Sequence, residues 1–136
     1  MNHFEARDGA LACEGVPLAR VAEAVGTPTY VYSTATLVRH VQVFRDAVAR
    51  LGPPAPVVAF AVKANSNLSV LRTLFGLGLW ADTVSEGEIR RTLAAGLGPE
   101  RIIFSGVGKT DAELAFAIDV GVAEVNVGEL ELATRF

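Results

Sequence analysis

Only two lysines occur in the 136 residues, Lys63 and Lys109, and both stand where an amine could do chemistry. Lys63 closes the run "PVVAFAVK" and follows six apolar residues without a break. A lysine at the end of a buried strand directs its amine into the mouth of a sheet or the interior of a barrel. Desolvation there disfavours the ammonium. A neutral amine can attack a carbonyl and form a Schiff base. The same residue at a strand end can instead snorkel to water, its stem on apolar surface and its charge solvated. Both readings remain open from the residues alone.

Lys109 lies in "IIFSGVGKT", residues 102–110, which ends as phosphate-binding loops do. Such a loop needs a glycine five positions before Gly108, where the chain turns to aim backbone N–H groups at phosphate. That position is Ile103, a branched apolar residue of strand character. The apolar run ending in aspartate that should accompany the loop, "AFAID" (115–119), has helical patterning. A nucleotide-binding role is therefore disfavoured.

Other chemistries have few residues to carry them. Cys13 is the single cysteine, so an internal disulfide and a cysteine-cluster metal site are excluded. His3 and His40 are too far apart in sequence to suggest a metal pair. The formal charge is −3, which leaves no basic face for nucleic acid. The apolar runs are far shorter than the ~20 residues of a membrane span, and "MNHFEARDGA" lacks the apolar core of a signal peptide. These features point to a globular unit of a reducing cytoplasm.

The elements that must position the lysines follow from a repeat. Strand-like apolar runs begin near Val57, Leu79, Arg101 and Ala123, 22 residues apart at each step. Between them lie capped helical stretches. "NSNLSVLRTLFGLG" places Leu68, Leu71 and Phe75 on one face. "SEGEIRRTLAAG" opens on a capping box of Ser85 and Glu88 and stops at Gly96. "TDAELAFAIDVG" repeats the device with Thr110, Glu113 and Gly121. Apolar strands joined by helices predict a parallel sheet covered by helices. An open doubly wound sheet and part of an eight-unit barrel both fit, and the even period favours the barrel.

Residues 1–56 read differently, as a lead-in of helix, strand and helix. "VPLARVAEAVG" places Leu18, Val21 and Val25 on one face. "PTYVYS" has the composition of a strand. "STATLVRHVQVFRDAVARLG" predicts a longer helix burying Leu37, Val41, Phe44 and Val48. Residues 57–136 would be the first half of a barrel, about four of eight units, since a whole barrel takes ~250 residues. "GELELATRF" reads as a helix without a stop signal, which suggests a piece of a longer protein; a complete small α/β domain is the alternative.

The blocks "AFAVKANSNLSVLRTL" and "ADTVSEGEIRRTLAAGLGPERIIFSGVGKTDAELAFAIDVGV" closely resemble the pyridoxal-phosphate-dependent decarboxylases that act on diaminopimelate, ornithine and arginine, and in particular the diaminopimelate decarboxylases. "GVPLARVAEAVGTPTYVYS" is similar to that family's lead-in. The resemblance runs from about Gly15 to Val127. It implies a barrel of the alanine-racemase-like fold type, pyridoxal 5'-phosphate carried on Lys63, and Asp82 as a carboxylate facing lysine and cofactor, although an aspartate there can also serve as a cap. It implies an amino-acid substrate, decarboxylation of meso-diaminopimelate to L-lysine, a homodimer for the full-length protein, and a strand-to-helix loop at "SGVGKT" with Lys109 as a solvated or structural charge. Asn65 and Ser85 read as turn and cap residues.

The sequence also departs from the family. Trp80 stands where glycine is usual before "AD", and the segment after "VNV" runs about two residues short. The family's ring-stacking histidine, glycine-rich phosphate loop, pyridine-facing glutamate and C-terminal β-domain find no counterpart, nor do the cysteine and tyrosine given by a second subunit. The chain alone is therefore expected to be an inactive or partial fragment. Alternatives are ornithine or arginine decarboxylase of the same family, a non-catalytic barrel that carries the cofactor, and a pseudoenzyme or remnant.

Overall fold

The computed structural model describes residues 3–54 and 56–128. The chain divides into two compact units, Met1–Arg50 and Leu51–Phe136.

The first unit opens on an antiparallel meander of β1 (Phe4–Arg7), β2 (Ala10–Cys13) and β3 (Val16–Pro17). Its two turns are Asp8-Gly9 and Glu14-Gly15, and all four residues have positive φ. That backbone matches the twist of a tight hairpin, for which Asp-Gly is a strong local signal. Helix α1 (Leu18–Val25) and helix α2 (Thr34–Ala49) follow. Ser33 caps α2 by accepting from the Thr36 amide at 3.0 Å. Two expectations fail in this unit. Residues 28–33 form no ladder, although their composition suits a strand; a strand exists only where a partner edge meets it, and Tyr30 is 88% exposed. In α2 Val41 is buried, but Phe44 is 55% exposed. Helical periodicity gathers apolar residues on one stripe without supplying what covers it.

The second unit carries the repeat. Strands β4 (Ala59–Ala61), β5 (Trp80–Thr83), β6 (Ile102–Phe104) and β7 (Glu124–Val125) pair in parallel in their chain order. Ala59 lies opposite Trp80, Ala81 opposite Ile102 and Ile103 opposite Glu124, so each step advances the register by 21 residues (59 to 80, 81 to 102, 103 to 124). The order never reverses, so these strands contain no switch point of the doubly wound kind. The connecting helices are α3 (Leu68–Gly76), α4 (Glu86–Ala94) and α5 (Asp111–Val120). Asn67, Ser85 and Thr110 cap them. Thr110 and Glu113 form the expected reciprocal box, and Gly121 closes α5 in the left-handed conformation. The Ser85 box is displaced by one residue, since Glu88 accepts from the Val84 amide.

The core lies between the sheet and these helices. Ala81, Ile102 and Phe104 pack with Leu71, Phe75, Ile89, Leu114 and Ala117. Among the described residues Phe104 and Leu71 are the largest side chains wholly removed from water. "GELELATRF" lies, apart from Gly128, outside the described residues.

Candidate functional site at the strand ends

Side chains alternate between the faces of a strand. Phe60, Ala81, Thr83, Ile102 and Phe104 turn to the helices. Ala59, Ala61, Trp80, Asp82, Ile103 and Glu124 share the other face. Trp80 stands beside Ala59, whose methyl group leaves room for the indole. Asp82 stands beside Ala61, near the C-terminal end of the sheet, where parallel α/β folds place their chemistry.

Lys63 follows β4 in a single 3-10 turn, Val62–Ala64. Val62 is fully buried and roots the turn, while Lys63 is exposed. Among the described residues neither the Lys63 amine nor the Asp82 carboxylate has a hydrogen bond or an ion pair. The segment behind Lys63 is held from several sides. The Asn65 amide donates to the Val62 carbonyl at 3.1 Å, Asn65 Oδ1 accepts from the Asn67 amide at 3.0 Å, and Arg91 Nη1 donates to the Ser66 carbonyl at 3.2 Å. Asn65 and Ser85 are thus turn and cap residues. A fixed backbone carrying an uncommitted amine suits reaction with an aldehyde.

The next three strand ends are interlocked. Gly106, at φ +91°, follows β6, and a Cβ there would lie 3.1 Å from the Val84 Cβ and 3.3 Å from its Cα. Only glycine combines that backbone with that approach. Glu113, besides its own helix cap, accepts from the Glu86 amide of α4 at 3.3 Å. These N–H groups, Thr110's first, hold the Glu113 carboxyl below its ordinary pKa. Asn126 Nδ2 donates to Ser105 Oγ at 3.2 Å. Lys109 Nζ donates to the carbonyls of Gly106 and Asn126 and stands 5.1 Å from the centre of the Phe104 ring. Its ammonium faces carbonyl oxygens of the strand-to-helix loop and of the end of β7.

An open cavity of about 420 Å³ lies in the first unit, lined by His3, Glu5, Arg7, Glu14, Gly15 and Ala35. Arg7 pairs with Glu5 at 2.6 Å. Glu14 is engaged by Ser33 Oγ at 2.7 Å and the Ala35 amide at 2.9 Å. The cavity has no group suited to carbonyl chemistry. Among the described residues no three His, Cys, Asp or Glu side chains gather to hold a metal ion, and no helix is long and apolar enough to cross a membrane.

Sequence reasoning singled out Lys63 and Asp82, and both stand at the C-terminal end of the sheet. It missed the roles of Gly106, Arg91 and Lys109, whose partners belong to other elements. The glycine of "SGVGKT" was the available signal, because a glycine between strand and helix marks a positive φ or a close approach.

The residues present fit an aldehyde cofactor at one point, the Lys63 amine, and comparisons with known proteins give the family. Residues 34–134 match a family described as pyridoxal-dependent decarboxylase, pyridoxal binding domain. The diaminopimelate decarboxylase of Pseudomonas aeruginosa is 51% identical over 127 residues, 93% of this chain and 30% of that protein. Among solved structures, an Aquifex aeolicus protein superposes with a TM-score of 0.86 at 40% identity, covering 95% of this chain and 31% of its own. Diaminopimelate decarboxylase from M. jannaschii in complex with L-lysine gives 0.85 at 32%, covering 93% of this chain and 31% of its own. The chain spans about a third of the length of these relatives. The sheet β4 to β7 is accordingly the N-terminal part of a TIM barrel, and the chain belongs to the pyridoxal-dependent decarboxylase family through its pyridoxal-binding domain.

Proposed function

We propose that this chain is the cofactor-bearing part of a decarboxylase that converts meso-diaminopimelate to L-lysine, with Lys63 as the amine that carries pyridoxal 5'-phosphate. The observation that carries the proposal is the place of Lys63, exposed and uncommitted, on a rooted turn at the C-terminal end of a parallel strand. Bound there, pyridoxal phosphate would supply an aldehyde and an electron-accepting ring. Lys63 would hold the aldehyde through its amine, and its free amine could move a proton beside the reacting carbon. Asp82, on the neighbouring strand, contributes a carboxylate at the same end of the sheet. Ala59 and Ala61 present only methyl groups on that face.

Diaminopimelate is favoured as substrate by the 51% identity to a diaminopimelate decarboxylase and by the L-lysine complex of a structural relative. Ornithine or arginine decarboxylation is the second reading within the family, and a non-catalytic cofactor carrier a third. Homodimerisation of the full-length protein and a cytoplasmic setting belong to the same proposal; the free Cys13 suits a reducing compartment. The 136-residue chain by itself is expected to give little or no turnover, and release of carbon dioxide from diaminopimelate by the purified chain would overturn that expectation.

The direct test is to mix the purified chain with pyridoxal phosphate, reduce with borohydride and map the labelled peptide. Label concentrated on Lys63 and abolished in Lys63→Ala supports the assignment. Equal labelling of Lys63 and Lys109, or none, sinks it.

A further inference from the structure

Lys109 lies in the motif that the proposed chemistry leaves unused, and its surroundings are unlike those of Lys63. Its Nζ reaches two backbone carbonyls on different elements, Gly106 in the loop after β6 and Asn126 just past β7. The Phe104 ring lies under it. Gly106 is pressed against Val84, two residues beyond Asp82, and Thr83 Oγ1 donates to the Ile103 carbonyl at 2.9 Å. The Asn126 amide donates to the Phe104 carbonyl at 2.9 Å, and its side-chain amide reaches Ser105. One ammonium therefore joins the last two strand ends, and through Gly106 the clasp extends to the end of β5.

We propose that Lys109 is a positioning residue: its ammonium clasps the loop after β6 to the end of β7, fixes Ser105 and Asn126 at the rim of the site, and is thereby withheld from carbonyl chemistry. This deepens the reading of Lys63 as the cofactor lysine and rests on it, because the clasp leaves one open amine at the strand ends.

Reactivity separates this role from that of an ordinary surface lysine. Burial holds the Lys109 ammonium below the usual lysine pKa, with Glu113 opposing. On that ground alone Lys109 would react faster than a free lysine. The clasp acts the other way, since two carbonyl acceptors favour the ammonium, which has no lone pair to attack with.

The experiment is trace acetylation of the purified chain with acetic anhydride, with the two lysine peptides quantified. Lys109 is expected to react about tenfold more slowly than Lys63, the order of effect of hydrogen bonds to a charged group that favour its unreactive form. In parallel, hydrogen exchange is followed at the Asn126 amide in Lys109→Met and Lys109→Arg. The methionine keeps the apolar stem and loses the donors, so exchange should quicken about tenfold. Arginine also donates to two carbonyls, so it should restore slow exchange. Lys109 acetylated as fast as Lys63, or Asn126 exchange unchanged in Lys109→Met, would overturn the clasp. Failure of pyridoxal phosphate to label Lys63 while Lys109 stays protected would instead remove the cofactor assignment and leave the clasp standing.

Discussion

The two units solve the problem of holding a chain together in opposite ways. The second puts its apolar side chains into one contiguous core between sheet and helices. Among its described residues the first buries only Ala12, Cys13, Ser33 and Val41 and leaves Leu11, Val16, Val25, Phe44 and both tyrosines exposed. What secures it is polar: Glu14 grips Ser33 and the Ala35 amide, and the His3 amide donates to Thr36 Oγ1 at 2.9 Å. Apolar burial does not titrate, whereas hydrogen bonds to a carboxylate are lost when it is protonated. The residues proposed to handle the cofactor stand on the unit with the core, where packing fixes backbone positions most firmly.

Truncation should expose that difference most sharply. Phe104→Ala removes a ring with no exposure and is expected to cost about 3–5 kcal/mol. Phe44→Ala, on the exposed stripe of α2, is expected to cost less than about 1 kcal/mol. Urea denaturation followed by fluorescence of Trp80, the single tryptophan, reports the first of these; helical circular dichroism reports the second. Equal costs would erase the contrast between the units.

Gly106→Ala comes next. Its positive φ and the 3.1 Å approach to Val84 predict a loss of about 1–3 kcal/mol. Gly9, also at positive φ but with open space around it, would suffer only the backbone part. Thr110→Ala should cost about 1 kcal/mol by removing one half of the α5 capping box. A change at Thr110 larger than at Gly106 would mean that the caps, and not the interlocked loops, hold the strand ends.

The smallest effect is in pH. Hydrogen bonds from Ser33 and then Ala35 lower the Glu14 pKa from its ordinary 4.5. The folded value lies below the unfolded one, so the contribution is present above 4.5 and is lost as the pH falls through the folded value. The protection factor of the Ala35 amide should fall in that acid window, and in Glu14→Gln the step should vanish. An unchanged step would show that Glu14 is not the tether.

Features carried by local rules were legible in the sequence. The strands expected near 57, 79, 101 and 123 begin at Ala59, Trp80, Ile102 and Glu124, because apolar runs and caps are read within one turn or one strand. Lys63 and Asp82 fell at the sheet's C-terminal end for the same reason. Features that need a distant partner were not legible. Residues 28–33 have the right composition for a strand and no edge to join. The opening meander has four-residue strands with almost no buried alternation, so its Asp8-Gly9 turn stood without a visible pattern on either side. Lys109 meets Asn126 across 17 residues, and nothing in "SGVGKT" announces that meeting.

The parallel sheet's order has a consequence for how the protein is made. Each strand pairs with the one synthesised just before it, 21 residues earlier in register. A nascent chain can therefore lay down this sheet one unit at a time as it leaves the ribosome, each closure needing only a short loop. The same order leaves the newest strand as a bare edge at every stage, open to pairing with another nascent chain. A pause in translation within this region would prolong that exposure, so the evenness that makes the fold easy to build also sets the moments at which it is most vulnerable.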